Sequence, residues 1–157
     1  MRKKIGTHNG KFHTDEVMAI ALLLRIFPDA EIIRARDPKV LKACDIIVDV
    51  GGVYDIGKNR FDHHQADGAG EWEDGTKLSS FGLVWQMYGS NLVRDVDAYL
   101  EIEDCLVIPV DARDNGQQPE RRARDIPSIA DHIDGLNLAW DEEEETFDEK
   151  FAFREAV

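Results

Sequence analysis

The chain has 157 residues, 43% hydrophobic and 32% charged, a length and balance that give one globular core and exclude a fibrous or low-complexity polymer. Its net charge of −13 argues against a broad electrostatic footprint for duplex DNA, and its longest apolar run, Val17 to Leu24, is too short to span a bilayer. The basic start, Met1-Arg2-Lys3-Lys4-Ile5, leads into polar residues and not into a signal-type apolar stretch, and Cys44 and Cys105 sit among apolar neighbours without zinc-finger spacing, so a cytoplasmic protein with two buried thiols is expected.

Lys4 to Thr7 reads as a short first strand. From Asp15 the pattern turns helical, with an apolar surface nearly all round from Val17 to Leu24, so this helix is expected to be buried and capped by Thr14 or Asp15. Glu31 to Arg36 is a second strand, Pro38 to Cys44 a short helix, and Asp45 to Val50 a third strand ended by Gly51-Gly52. The third strand is β-branched and apolar enough for the centre of a parallel sheet. This alternation indicates an α/β domain, in which ligands bind outside the carboxyl ends of the strands. Tyr54 to Trp72 is loop-rich, apart from a strand-like alternation through Arg60-Phe61-Asp62-His63-His64. Leu78 to Val93 is helical, and a further helix runs from Asp95 to Val110 with a kink expected at Pro109. A turn at Asn115-Gly116 precedes an Arg-rich stretch containing Arg121, Arg122 and Arg124. Ser128 to Ile133 is a short helix, the Asp141 to Glu145 run a solvated helix start, and Phe147, Phe151 and Phe153 mark one face of a terminal helix.

Four of the five histidines fall into clusters that also hold aspartates. His8, His13 and Asp15 occupy the first strand-to-helix turn, Asp49 closes the third strand, Asp62-His63-His64 follows in the loop region, and Asp111 and Asp114 lie three residues apart. Imidazole with carboxylate suits a borderline divalent ion. Each cluster has a plainer reading: a capping Asp15, a turn-capping Asp49, polar strand residues, the solvated end of a helix. Their joint placement favours a two-metal phosphoesterase, with His8 and His13 on one ion, Asp15 on a second and Asp49 bridging. Adjacent strand residues face opposite ways, so one of His63 and His64 is expected on metal and the other facing substrate, with Asp62 orienting an imidazole. Spacing leaves open whether Asp111 or Asp114 reaches the metal.

The ordered series His8-x4-His13-x-Asp15, Asp49, Asp62-His63-His64 and Asp111 resembles the four motifs of the DHH phosphoesterase superfamily. Thr7-His8-Asn9-Gly10 with Phe12-His13-x-Asp15-Glu16, Arg36-Asp37-Pro38, Val48-Asp49-Val50-Gly51-Gly52, Phe61-Asp62-His63-His64-Gln65, Thr76-Lys77-Leu78-Ser79-Ser80 and Asp111-x2-Asp114-Asn115-Gly116 resemble, more closely, the melanocyte-proliferating-gene (MYG) family within it. The resemblance implies a three-layer α/β domain with a mostly parallel sheet. It also implies two divalent ions, with Mn²⁺ expected and Mg²⁺, Co²⁺ or Zn²⁺ as alternatives. Their ligands would be His8, His13, Asp15, Asp49, His63 and Asp111, with Asp62, His64 and Asp114 in catalytic roles. Arg36, Lys77, Ser79 and Ser80 would meet the substrate phosphate, a helix start being suited to an anion. The implied activity is phosphodiester hydrolysis on short single-stranded RNA or a nucleotide-like substrate. A pyrophosphatase or phosphomonoesterase is the second enzymatic reading, and a metal-dependent nucleotide-binding module the third. Members of that family are roughly twice as long and carry a second domain. The present chain therefore reads as a single metal-binding domain over 1–157 without the usual C-terminal substrate domain, and a homodimer could supply the missing wall.

Overall fold

The computed structural model describes residues 2–117, 127–137 and 148–157. The elements run β1 (Lys4–Thr7), α1 (Thr14–Ile26), β2 (Glu31–Arg34), α2 (Pro38–Leu41), β3 (Ile46–Val48), β4 (Tyr54–Asp55), a 3₁₀ turn (Ile56–Lys58), β5 (Arg60–Phe61), α3 (Ser80–Leu92), α4 (Val96–Ile102), a π-helical turn (Glu103–Val107), α5 (Ile108–Asp114), α6 (Ile129–Asp134) and α7 (Glu149–Ala156). The five strands lie in the order β2-β1-β3-β5-β4, all pairs parallel except β4 with β5. The chain is thus α/β with a mostly parallel sheet, and the Ile-Ile-Val strand β3 is central, as its composition predicts.

Side-chain alternation splits the sheet between two apolar clusters. Ile5, Ile46 and Val48 face the main core with α1, α3 and Phe153 of α7. Ile47 and Val50 face a smaller cluster with Leu41 and Cys44 after α2. Helices therefore cover both faces. At β1 the second cluster comes very close: a Cβ on Gly6 would lie 2.9 Å from Cys44 Sγ, so only glycine lets the strand sit against that thiol.

Several local expectations are corrected. The cap of α1 is His13, not Thr14 or Asp15, which lie buried inside the first turn; the Glu16 carboxylate accepts the His13 backbone N–H at 2.7 Å. The strand expected through Asp62-His63-His64 stops at Phe61. Asp62 Oδ1 accepts the backbone N–H of His64 at 3.0 Å, and Oδ2 that of Gly52 at 2.6 Å. Such a local side-chain turn competes with the strand ladder. The helix expected to kink at Pro109 instead has a π-helical turn over Glu103–Val107, and Pro109 stands in the first turn of the α-helix that follows, where its missing N–H is tolerated. The π-helical turn leaves Cys105 exposed, while Cys44 is buried as expected. Phe153 is buried, 5.6 Å from the Phe12 ring, but Phe151 is 62% exposed, so the two do not share a face. Phe147, the acidic run 141–145 and Arg121, Arg122 and Arg124 lie outside the described residues. Among the described residues no helix is long and apolar enough to cross a membrane.

Candidate metal centre

The carboxyl ends of β1, β3 and β5 gather the polar residues at one edge. β1 delivers His8, β3 delivers Asp49 and β5 delivers Asp62, His63 and His64. Above them stands the first turn of α1 with Asp15 and Glu16, both fully buried. Asp49 occupies the left-handed region at φ 55°. That conformation is costly for a residue with a Cβ, and it turns the carboxylate out of the strand into the cluster.

His8 Nε2 lies 2.9 Å from Glu16 Oε1 and 3.2 Å from Asp49 Oδ2. His63 Nε2 lies 3.2 Å from Asp114 Oδ2, 3.4 Å from Asp49 Oδ1 and 3.8 Å from Asp15 Oδ2. These atoms are close without bonding geometry. His8 Nε2, Asp15 Oδ1, Glu16 Oε1, Asp49 Oδ2 and His63 Nε2 are all buried with no hydrogen-bond partner. Buried polar atoms are normally satisfied, so lone pairs that crowd one volume without pairing are arranged as ligands are. Three groups have all their ligand atoms within 4.8 Å of one another: His8, His13, Glu16 and Asp49; Asp49, His63 and His64; and His13, Asp15 and Asp114. The donor set of imidazole and carboxylate fits a borderline divalent cation.

Charge in the cluster points the same way. Burial, with Asp49, Asp114 and Glu16 nearby, pushes the Asp15 carboxyl well above its ordinary value. Burial likewise raises Glu16, and raises Asp114 even against the pull of His63. For Asp49 burial acts in the same direction but loses, and the His63 and His8 imidazoles hold it well below the usual carboxylate range. Burial would lower His8, yet Asp49 and Glu16 carry it to about 9. Four carboxylates cannot all ionise this close together without cations among them, and divalent ions would supply that charge.

The two adjacent histidines are not on opposite sides. With the strand ended at Phe61, their ring centroids are 4.3 Å apart. His64 Nδ1 lies 2.8 Å from Asp62 Oδ1 and 3.5 Å from Asp49 Oδ1. His63 is nearly buried and His64 is 58% exposed, so His64 is the imidazole open to solvent and Asp62 the carboxylate that orients it.

Asp111 and Asp114 separate clearly. Asp114 reaches His63. Asp111 belongs to none of the three groups: its Oδ1 accepts Ser79 Oγ at 2.5 Å and the Gly82 N–H at 3.0 Å, and its Oδ2 accepts Trp72 Nε1 at 2.7 Å. Burial outweighs these donors and leaves its carboxyl at about 6. Ser79 and Ser80 are also placed otherwise than expected. Both are fully buried, Ser79 capping α3 and holding Asp111, and Ser80 donating to Asp49 Oδ1 at 3.1 Å. They brace carboxylates from behind and do not face solvent. Lys77 and Arg36 are exposed. The Lys77 backbone is held at both ends, its N–H by Gln117 Oε1 at 2.7 Å and its carbonyl by Asn115 Nδ2 at 3.0 Å.

The motif resemblance includes Glu16 without giving it a role, and sequence patterning gives none to Arg34. Glu16 carried a signal, being an acid inside a helix otherwise buried all round. Arg34 did not, because its role depends on long-range contacts: its guanidinium donates to the His8 carbonyl at 3.1 Å and the Gly10 carbonyl at 2.8 Å, and sits over the Phe153 ring at 4.3 Å. It fixes the loop that carries His8.

A family model described as an "Uncharacterised protein family (UPF0160)", and labelled a MYG1 exonuclease model, matches residues 4–157. Similar curated proteins include a MYG1 exonuclease of Bos taurus, 39% identical over 88% of this chain and 43% of the relative. A human MYG1 exonuclease is 37% identical over 98% of this chain and 47% of the relative. A MYG1 protein of Saccharomyces cerevisiae is 38% identical over 97% of this chain and 53% of the relative. The chain spans about half the length of the curated relatives it matches. No solved structure matches it.

Proposed function

The chain belongs to the MYG1 exonuclease family, and from that premise we propose that it is a divalent-metal-dependent phosphoesterase of the DHH type, hydrolysing phosphodiester bonds in short single-stranded RNA or nucleotide-like substrates. The observation that carries this reading is the convergence of unpaired imidazole nitrogens and carboxylate oxygens on Asp49. In this reading His8 and His13 would hold one ion and Asp15 and His63 the other, with Asp49, which faces both His8 and His63, serving both. Asp114 takes the place at the second ion that the motif resemblance gives to Asp111, because Asp114 contacts His63 while both oxygens of Asp111 are already bonded.

When bound, a pair of divalent ions, Mn²⁺ by the resemblance, would activate a water and stabilise the attacking and leaving oxygens of an in-line displacement at phosphorus. The chain's own residues do the rest. Asp62 fixes the ring of His64, whose exposed edge meets a phosphate oxygen and can carry a proton there. Ser80 holds Asp49 in position from behind. Lys77, with its backbone clamped by Asn115 and Gln117, and the exposed Arg36 would supply cations for the remaining phosphate oxygens. Preorganised positive groups of this kind are what phosphoryl transfer demands.

The test is turnover by chelator-treated protein, with and without Mn²⁺, on a 5-mer RNA, a dinucleotide, pyrophosphate and p-nitrophenyl esters. Mn²⁺-dependent shortening of the RNA or dinucleotide is expected. Turnover of pyrophosphate or a monoester alone would move the protein to those substrates, and metal-dependent binding with no turnover of any would make it a nucleotide-binding module.

A further inference from the structure

We infer that Glu16 is a direct ligand of the first ion, which gives that ion four protein donors: the imidazoles of His8 and His13 and the carboxylates of Glu16 and Asp49. The inference rests on the two-ion reading above and adds to it a residue that the motif resemblance does not assign.

Glu16 is fully buried at the start of α1. Its two oxygens are in different states. Oε2 accepts the His13 backbone N–H at 2.7 Å, which fixes the carboxylate and the residue that caps the helix together. Oε1 is buried with no hydrogen-bond partner. The nearest cationic atoms are His8 Nε2 at 2.9 Å and Arg34 Nη2 at 3.9 Å. His8 Nε2 is itself unpaired, and so is Asp49 Oδ2, 3.2 Å from it. Three unpaired atoms from three different elements thus converge on one point, and a ring nitrogen of His13 completes the group within 4.8 Å. An ion pair between His8 and Glu16 alone would not account for Asp49 Oδ2 and a His13 ring nitrogen standing within the same 4.8 Å.

The placement of the neighbour supports the assignment. Glu16 and Asp15 fall in different groups, Asp15 with His13 and Asp114, and Asp15 Oδ2 lies 3.8 Å from His63 Nε2 on the other side. Successive residues of a helix point about 100° apart, so one turn of α1 serves both ions, Asp15 turning toward one and Glu16 toward the other. Arg34 keeps the strand-to-helix loop rigid by binding the His8 and Gly10 carbonyls. Two imidazoles and two carboxylates form a donor set for a borderline divalent ion such as Mn²⁺, Co²⁺ or Zn²⁺. The rival role for Glu16 is a counter-charge that only orients His8.

The experiment is calorimetric titration of the metal-free full chain with Mn²⁺, together with the visible spectrum of the Co²⁺-loaded protein. Glu16→Gln keeps the shape and the acceptor for the His13 N–H but gives up the donor charge. Wild type should bind two ions. Glu16→Gln should keep one at wild-type affinity, weaken the other by at least about 10-fold, and change the intensity of the Co²⁺ bands. Glu16→Asp keeps the charge but withdraws the oxygen by one methylene, and the same weakening is expected, so it carries the test if the Gln variant fails to fold. Two ions at wild-type affinity with an unchanged Co²⁺ spectrum in either folded variant would overturn the assignment and leave Glu16 as an orienting group. Failure of the wild type to bind any ion would instead overturn the two-ion reading on which the assignment stands.

Discussion

Two buried carboxylates sit in adjoining regions and are treated in opposite ways. At the sheet edge, Asp49 is held in a left-handed conformation with an oxygen that nothing bonds, amid other unpaired atoms. In the seam between α3 and α5, Asp111 is equally buried, but its oxygens accept bonds from Ser79, Gly82 and Trp72. The contrast shows that burial of a charge does not mark a working group. What marks it is burial without satisfaction, because a protein that only needed stability would have paired those atoms. Asp111 ties the loop at Trp72 to two helices, whereas Asp49 leaves an oxygen unbonded among other unpaired atoms, as the proposed metal site requires.

The most damaging way to break the contrast is at Asp49. Asp49→Ala should remove both ions at once, since this residue faces His8 on one side and His63 on the other, and metal-supported hydrolysis should fall to background; elemental analysis of the purified variant checks it. Retention of two ions would deny Asp49 its bridging place.

Next in size is the exchange of roles between Asp111 and Asp114. Asp111→Ala leaves the buried Ser79 and Gly82 donors and the half-buried Trp72 donor without an acceptor and should cost about 2–4 kcal/mol in denaturant unfolding, yet keep its metal stoichiometry. Asp114→Asn should do the reverse, losing one ion while unfolding within about 1 kcal/mol of wild type. If Asp111→Ala lost metal at unchanged stability, the resemblance-based assignment would be right and the geometric one wrong.

Gly82→Ala probes the same seam more gently. A Cβ there would collide with the Asp111 carboxylate, and overpacking of this kind costs about 1–3 kcal/mol. A melting curve should show the loss with metal affinity unaltered.

The last comparison is in pH. Asp111 at about 6 and His8 at about 9 both stand above their ordinary values. A group raised in the folded state contributes stability that is complete below its ordinary value and is lost as pH rises through its folded value. Metal-free protein should therefore lose stability across about 4–6 from Asp111, joined by the raised Asp15, Glu16 and Asp114 carboxyls, and across about 6.5–9 from His8. Saturating metal holds the site imidazole and carboxylates deprotonated, so it should erase the His8 stage and leave the Asp111 part of the first. Chemical unfolding at a series of pH values, with and without Mn²⁺, separates the two regions.

Much of this was legible in the sequence, and the missing parts have physical causes. β3 announced itself because Ile46-Ile47-Val48 has the composition of a doubly covered strand. α1 and α3 are long enough for their periodicity to show. The β4–β5 pair was not legible, since strands of two residues are too short for any alternation to register. Asp62 ended its strand through a side-chain turn that looks, in sequence, like one more polar position. The histidine and aspartate motifs named the region of the site correctly, but motif spacing carries no information about hydrogen bonds. Asp111 and Asp114 lie on one helix three residues apart. What separates them are Trp72 and Ser79, which are far away in the chain. Glu16 draws no role from sequence for a related reason, because an acid in the first turn of a helix has an ordinary explanation until its buried surroundings are known.

The most direct test of the central claim is anomalous diffraction from crystals grown with Mn²⁺. Two anomalous peaks should flank Asp49, one contacted by His8 and His13 and the other by Asp15 and His63. A peak coordinated by Asp111, or no peak beside Asp49, would contradict it.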